Sequence, residues 1–538
     1  MSSEAYDGIF VGAGHNSLVC AAYLARAGQR ILIVEGAPQI GGGTTTEEVT
    51  LPGYQHNLHA FFVRWTPDYA LWHDLQLDSH GVKSIWPEVQ NAVPFDGGER
   101  ALVTYRSLGK SLESIARVST ADAKTYSRLY EEYGEMIRLV ETPLRFAPPL
   151  PPDEQDELLR RSALGRRYLD LQNTAPLDLV SEAFESEVVR TLILFNVSVR
   201  GYLPNLDVPG LGAIVPLALF NSHDGRLIAG GTNQVVNAIA AAATDHGAEV
   251  ITGTPVSAID IEGGRAVGVT LDDGRKFGAR QFVASGVPAP ITMLDLVGPA
   301  HLDTALREDL EGYQWLEEAL FGVHWALSGR PIFTAERDNV DVPAALNLVL
   351  GYESSADLVA HMEAIRTAAD VPEGPSHVSI PTIHDPGQAP GGGHTTFAWH
   401  FVPGPPRRGL WDSNAVAERS TAMADTYRRY APNLDDVTLA MVPHSPDDTE
   451  RRIPSMRSGD RHLGRYHPDN WGYNRPTPLM PGYHTPVDRL YLCGASQHPG
   501  GSFNGQPGYI AAGAIASDLG IEPWWRPGDV RDSLQSLA

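Results

Sequence analysis

Residues 9–35 constrain the fold most strongly, because they have the pattern of a strand, a glycine turn, a helix and a second strand that ends in an acid. An apolar run precedes Gly12 and Gly14, and small apolar residues with the spacing of a buried helix follow them. A second apolar run then leads directly to Glu35. This order predicts a βαβ unit, in which a helix joins two parallel strands.

The predicted turn is suited to an adenine dinucleotide. Gly12 permits the tight turn, Gly14 lets backbone N–H groups approach a pyrophosphate, and the helix N-terminus favours that anion. Glu35 lies about twenty residues beyond the turn, where a carboxylate accepts hydrogen bonds from a ribose hydroxyl. Ser17 stands at the third glycine position and is small enough for close packing of helix on strand. The predicted contacts here are Gly12, Gly14, His15, Asn16, Ser17 and Glu35.

Further cofactor segments continue to the far end of the chain, which favours FAD over a nicotinamide dinucleotide. A nicotinamide enzyme usually completes its cofactor domain within about 150 residues. Here a glycine loop at 41–44, a Gly-Gly turn at 230–231 with a strand meander ending at 286, and a glycine-rich loop at 494–508 all add to the site. Their predicted contacts are Gly42, Gly43, Thr44, Gly231, Val256, Ser285, Gly286, Gly494, Ala495, Gly501, Asn504, Pro507 and Gly508.

These motifs carry a family resemblance. Gly-Ala-Gly-His-Asn at 12–16, the turn at 230–231, and Leu-Tyr-Leu-Cys-Gly-Ala with His-Pro-Gly-Gly and Asn-Gly-x-Pro-Gly at 490–508 resemble the phytoene desaturase and carotenoid isomerase branch of the FAD-dependent amine oxidase superfamily. The run Ser-Ile-Pro-Thr-Ile-His-Asp-Pro through Ala-Pro at 379–390 is similar to the same group. Two departures are Ser17 and the segment 458–462.

The resemblance implies an α/β fold with a discontinuous Rossmann-type FAD-binding domain of the glutathione reductase and amine oxidase type, and a second, α+β substrate-binding domain. The predicted FAD domain comprises 1–74, 220–290 and 476–525; the substrate domain with its helical lid comprises 75–219 and 291–475; and 526–538 form a tail. Covalent attachment through Cys493 is not expected, because this cysteine ends a buried strand, so FAD is predicted to bind non-covalently.

Charge and composition exclude several other classes. The formal net charge of −24 disfavours nucleic acid as a partner. No apolar run reaches the roughly 18 residues of a membrane helix, and no signal segment is present, so a cytoplasmic protein is expected, with peripheral membrane contact and oligomeric state left open. Cys20 and Cys493 have the pattern of buried apolar residues, so neither a disulfide framework nor a metal site is predicted.

The predicted chemistry is dehydrogenation of a hydrophobic, conjugated or secondary-metabolite substrate by hydride transfer to flavin N5. An aromatic stretch predicts an apolar cleft; its members are Tyr54, His56, His59, Phe61, Phe62 and Trp65. His498 is the first candidate base, followed by His59 and His56. A second dinucleotide turn is missing from the sequence, so dioxygen, a quinone or another acceptor would reoxidise the flavin.

The sequence leaves other functions open. Reduced flavin can support redox-neutral double-bond isomerisation, and nothing in the residues forbids it. An amine oxidase and a flavin-binding protein without turnover are further alternatives. Net substrate oxidation with flavin reduction would distinguish a dehydrogenase from an isomerase and from a protein without turnover. The nature of the substrate would distinguish it from an amine oxidase.

Overall fold

The computed structural model describes residues 5–63, 69–368, 371, 374–404 and 411–537. Its strands are β1 (Ala5–Val11), β2 (Ile31–Val34), β3 (Thr46–Glu47), β4 (His56–Asn57), β5 (Ser84–Ile85), β6 (Val89–Phe95), β7 (Arg100–Tyr105), β8 (Leu227–Ile228), β9 (Glu249–Ile251), β10 (Val256–Glu262), β11 (Arg265–Leu271), β12 (Lys276–Ser285), β13 (Glu318–Leu327), β14 (Asn347–Leu350), β15 (Ser376–Ser379), β16 (His394–Pro403), β17 (Thr438–His444), β18 (Pro476–Thr477), β19 (Met480–Pro481) and β20 (Leu490–Leu492).

The α-helices lie between these strands. They are α1 (His15–Arg26), α2 (Ala70–Asp74), α3 (Leu108–Ala116), α4 (Thr120–Met136), α5 (Thr142–Arg145), α6 (Pro152–Arg160), α7 (Ala163–Gln172), α8 (Pro176–Ala183), α9 (Glu187–Val197), α10 (Ile214–Phe220), α11 (Asn233–Thr244), α12 (Thr304–Glu311), α13 (Ser355–Thr367), α14 (Ser413–Tyr430), α15 (Leu434–Val437), α16 (Pro446–Arg452), α17 (Gln506–Leu519) and α18 (Val530–Gln535). A π-helical turn, Ser198–Tyr202, continues α9.

The first sheet is assembled from three distant parts of the chain. Its order is β10-β11-β12-β1-β2-β9, and β20 also pairs with β12. β1 pairs in parallel with β2 and β12, and β2 with β9, while the β10–β11–β12 meander is antiparallel. On β1, Phe10 packs with α1, α11 and α17, while Ile9 and Val11 face the opposite core. Both faces are buried, as a central parallel strand requires.

The second sheet carries most of the remaining strands. Its order is β17-β13-β16-β15-β14-β6-β7, largely antiparallel, with β14 and β6 parallel. Helices α4, α9 and α10 pack with these strands in the largest apolar core. The mixed α/β architecture predicted from the sequence is confirmed. The strands of the first sheet lie within the predicted FAD-domain segments and those of the second within the predicted substrate-domain segments, and the domain bounds themselves stay a prediction.

Several histidines are buried in this fold, which predicts acid sensitivity. Burial is the main cause that lowers their pKa: to about 3 for His59 and to about 4 for His15, His56, His361, His444 and His498. Their ordinary pKa of about 6.5 returns on unfolding, so below that pH the unfolded chain binds more protons. At pH 5 each such group costs about 2 kcal/mol of folding free energy.

We therefore expect the urea midpoint of unfolding to fall as the pH is lowered from 7 to 5. Buried Glu318 acts in the opposite sense, because burial raises its pKa to about 7 and its stabilising effect is lost as the pH rises. One carboxyl group does not offset several histidines. Tryptophan fluorescence during urea unfolding at pH 8, 7, 6 and 5 measures the trend, and a midpoint that is constant or rises toward pH 5 contradicts it.

Candidate active site

The turn between β1 and α1 forms an anion cradle. Gly12 has a φ of 86°, in the left-handed region that favours glycine. Gly14 caps α1 with extended backbone, and a Cβ built on it would meet none of the described residues within 4 Å. The first-turn N–H groups of an α-helix have no partner within the helix, and His15, Asn16 and Ser17 of this first turn line a cavity.

Glu35 lies beside the same turn at the end of β2. Its Oε2 accepts a hydrogen bond from the backbone N–H of Ala13 at 2.7 Å, and its Oε1 accepts one from the N–H of Ala37 at 2.9 Å. A carboxylate has about four acceptor positions, so each oxygen retains capacity for a ribose hydroxyl. These bonds fix the carboxylate in the orientation that such a contact needs.

A cavity of about 1120 Å³ extends from this turn to the second sheet. Its volume exceeds the range of roughly 300–1,000 Å³ that is typical of a single small-molecule site. The predicted cofactor contacts that line it are Gly12, Gly14, His15, Asn16, Ser17, Glu35, Gly42, Gly43, Thr44, Val256, Gly286, Ala495, Gly501 and Asn504. Its apolar wall, defined here as Phe61, Ile214, Leu217, Leu320, Trp399 and Phe401, lies on the other side. Trp65, predicted for this cleft, lies outside the described residues.

Gly494 and Gly508, predicted as cofactor contacts, lie behind the cavity wall. A Cβ on Gly494 would come within 2.3 Å of the carbonyl oxygen of Gly286, and one on Gly508 within 2.0 Å of the carbonyl oxygen of Asn16. These glycines therefore allow backbone segments to pack tightly. Their geometry favours support of the site over direct contact.

Gly231, Ser285 and Pro507 likewise do not line the cavity. Gly231 has a φ of 99°, and a Cβ there would lie 2.3 Å from Oγ1 of Thr46. The hydroxyl of Ser285 shares a buried hydrogen bond of 2.7 Å with Thr292. Pro507 occupies the first turn of α17, where its missing N–H costs nothing.

The geometry gives His498 and His56 structural contacts. Nε2 of His498 donates to the carbonyl oxygen of Leu144 at 2.8 Å, and the buried ring does not line the cavity. Nε2 of His56 lies 2.8 Å from the hydroxyl of Thr50, and this ring also lies outside the lining. The placement of His498 disagrees with its interpretation as the first candidate base, because its ring points toward helix α5 and not into the cavity.

Of the three candidate bases, His59 is the one that lines the cavity. Its Nε2 is buried and has no hydrogen-bond partner in the described part of the chain. Burial, with smaller effects of His444 and Arg452, lowers the pKa of His59 to about 3. The imidazole is therefore neutral at pH 7, and burial makes it a weaker base than a free imidazole.

Six arginines in the lining were not predicted from the sequence. They are Arg145, Arg200, Arg451, Arg452, Arg457 and Arg461. Four of them fall within 451–461. This concentration of basic residues is unusual in a chain of net charge −24, and it is the sequence signal that could have indicated them. From the sequence, part of this segment, 458–462, was recognised only as a departure from the family pattern.

Side-chain clusters that hold metals and helices that cross membranes both have a recognisable geometry. Within the ranges described above, no group of histidine, cysteine, aspartate or glutamate side chains is arranged to hold a metal ion. None of the described helices combines the length and apolarity needed to cross a membrane. Cys20 and Cys493 are buried free thiols, and Cys493 does not line the cavity.

Comparison with known proteins identifies the family. The model of the flavin-containing amine oxidoreductases matches residues 18–516. The chain belongs to this family. It is therefore an oxidoreductase whose cofactor is FAD, and the glycine cradle, the oriented carboxylate of Glu35 and the open space beside Gly14 fit the dinucleotide part of that cofactor.

Two relatives and one solved structure show which members of known sequence or fold this chain is similar to. A limonene dehydrogenase subunit of Castellaniella defragrans is 29% identical over 97% of this chain and 96% of its own length. Phytoene desaturase (lycopene-forming) of a Paracoccus species is 26% identical over 54% of this chain and 55% of its own length. Cyclohexylamine oxidase of Brevibacterium oxydans has the same fold, with a TM-score of 0.57 and 19% identity over 96% of this chain and 99% of that one. The predicted desaturase-like resemblance is confirmed.

Gly14→Val and Glu35→Ala test the assignment of the dinucleotide site in this oxidoreductase. A valine at position 14 meets no described protein atom at its Cβ, so we expect it to block cofactor approach without disturbing the fold. Loss of the Glu35 carboxylate removes charge-assisted hydrogen bonds, and we expect FAD affinity to fall about tenfold to a hundredfold. Flavin absorbance per folded protein and the Kd of re-added FAD measure both effects.

Gly109→Val is the matched control, because Gly109 is an exposed glycine of α3 that is remote from the cavity lining. We expect it to retain FAD. Full flavin content in both Gly14→Val and Glu35→Ala contradicts the assignment.

Proposed function

We propose that this flavoprotein is a dehydrogenase that oxidises an apolar small molecule. The observation that carries the proposal is that one cavity joins the anion cradle at Gly14 to the apolar wall on the second sheet. The names of the two relatives support it, since limonene and phytoene are both hydrocarbons. The large volume leaves room for a substrate beside a bound dinucleotide.

The residues of the chain position the reactants and exclude water. Bound FAD supplies a hydride acceptor at N5 of its ring. Phe61 and Trp399 contact each other in the apolar wall, with ring centroids 5.5 Å apart, and Phe397 stacks on Trp399 at 4.2 Å from behind. A rigid aromatic wall of this kind holds an apolar substrate in one orientation and keeps the site dry.

Dehydrogenation removes a hydride and a proton, and we assign the proton acceptor as His59. It lines the cavity, its Nε2 has no partner among the described residues, and burial keeps it neutral. The ring of His444 lies 5.5 Å from it. When FAD is bound, dioxygen or a quinone would be its electron acceptor, because the sequence has no second turn for a nicotinamide dinucleotide.

Anaerobic titration of the purified flavoprotein tests the reaction. We expect its visible flavin band to bleach with a terpene hydrocarbon and to return when dioxygen or a quinone is added. A band that bleaches only with amines replaces the proposal by an amine oxidase. A band that never bleaches, together with double-bond migration in the presence of pre-reduced protein, replaces it by an isomerase.

His59→Gln tests the proton acceptor. We expect flavin reduction to slow by about 10²- to 10⁴-fold at unchanged flavin content, since this is the usual contribution of a positioned acid or base. Because burial holds the pKa of His59 near 3, the wild-type rate should not change between pH 6 and 8 through this group. His384→Gln, which alters a histidine outside the lining, is the control. Equal reduction rates in His59→Gln and wild type remove His59 from the mechanism.

A further inference from the structure

The cavity lining has the opposite charge balance to the whole chain. The chain has a formal net charge of −24. Among the residues that the structure describes, the lining contains six arginines but three carboxylates, those of Glu35, Glu47 and Asp295. A basic cavity in an acidic protein concentrates anions, and the pyrophosphate of FAD accounts for part of this excess.

The arginines of segment 451–457 border the cofactor loop. A Cβ on Gly43 would lie 2.6 Å from Cε of Met456, so this segment packs directly on the glycine loop at 41–44. Arg452 forms an ion pair with Glu47, and Arg457 with Asp295 at 2.7 Å. The charge of this segment is therefore placed beside the cofactor and is already balanced in part.

Arg461 is directed toward the second sheet instead. Its Nη2 donates to Oε1 of Glu318 at 2.5 Å, while its Nη1 is buried and has no partner in the described ranges. The side chain of Arg461 is only 10% exposed. Burial raises the pKa of Glu318 to about 7, so near neutral pH this carboxyl is protonated for part of the time and only partly balances the guanidinium.

Arg200 is a second cation in the lining without an acidic partner. Its Nη1 donates to the carbonyl oxygen of Asn196, and its Nη2 is buried without a hydrogen-bond partner among the residues that the structure describes. No carboxylate of those residues lies within ion-pair distance of it. Arg200 as a whole is partly buried. A cation in such a position without a counter-charge forms a site that an anionic ligand stabilises.

Both arginines border the aromatic part of the cavity. The guanidinium carbon of Arg461 lies 5.6 Å from the ring centroid of Phe401. Arg200 lies near Arg461, because a Cβ on the next residue, Gly201, would lie 2.6 Å from Cδ2 of His462, the residue that follows Arg461. The two cations therefore belong to the substrate side of the cavity, next to the apolar wall.

We propose that the ligand bound against this wall has an apolar body with a carboxylate at one end, and that Arg461 and Arg200 bind the carboxylate. The proposal rests on the function proposed above and narrows its substrate class. Guanidinium groups bind carboxylates through paired, charge-assisted hydrogen bonds, which are strongest where water is excluded. An uncharged hydrocarbon of the same shape binds the same wall and remains a substrate, but it leaves the N–H groups of Arg461 and Arg200 unpaired, so the acid binds more tightly.

Calorimetric titration of the FAD-loaded protein with three probes of one chain length tests this. The probes are decanoate, 1-decanol and decylammonium, each below its micelle concentration. We expect decanoate to bind at least tenfold more tightly than 1-decanol, and decylammonium to bind most weakly. Equal affinity for the acid and the alcohol overturns the proposal, as does a preference for the amine.

Arg200→Met and Arg461→Met assign the preference to these side chains. Both keep an apolar stem, so we expect decanoate affinity to fall about tenfold and 1-decanol affinity to change less than twofold. Because Arg461→Met leaves Glu318 buried without its partner, the double variant Arg461→Met/Glu318→Gln is measured beside it. Arg428→Met, which removes an ion-paired arginine on the exposed side of α14, is the control and should keep the preference. A preference that survives in all three cavity variants overturns the proposal.

Flavin content, measured first, separates the two levels of inference. Wild-type protein that folds without retaining FAD contradicts the proposed function and, with it, this proposal. If Arg200→Met and Arg461→Met lose FAD, these arginines hold the cofactor, and the proposal is overturned while the proposed function stands. Retained FAD with a lost preference for decanoate supports both.

Discussion

The close contact between helix α1, the end of β12 and the segment leading into α17 is the constraint on which the rest of the structure depends. A Cβ on Gly286 would lie 1.9 Å from the hydroxyl oxygen of Ser17, and the corresponding positions at Gly494 and Gly508 are nearly as tight. Because each of these glycines has a hydrogen atom in place of a side chain, the three backbone segments can come into contact. Because they meet, the anion cradle on α1 and the C-terminal glycine loop face one cavity.

Local pattern was enough to predict the elements around β1. The glycine turn, the small-residue spacing of α1 and the apolar run before Glu35 lie close together in the chain, and β2 ends at Val34, directly before Glu35. The buried strand that Cys493 was expected to end is β20, which ends at Leu492. In each case neighbouring residues determine the conformation, so their order in the sequence carries the information.

The direction of individual side chains could not be predicted in this way. His498 bonds to a carbonyl oxygen 354 residues away, and no local feature of its loop indicates that partner. The same limit applies to Arg461 and Glu318, which are 143 residues apart. Glycines 494 and 508 were recognised as part of the site, but whether a glycine contacts a cofactor or another backbone depends on packing between distant segments. Residue type and spacing thus located the site, while its division into lining and support required three-dimensional contacts.

The strand order has a consequence for synthesis of the protein on the ribosome. The central strand β1 is made first, but its neighbour β12 ends at Ser285, and β20, which completes that edge, ends at Leu492. At roughly 5–20 residues per second, the interval from β1 to β20 is about half a minute to a minute and a half. During that time helix α1 lacks its packing partner α17, which follows β20 in the chain. The cofactor cradle is therefore completed only after residue 492 has been synthesised.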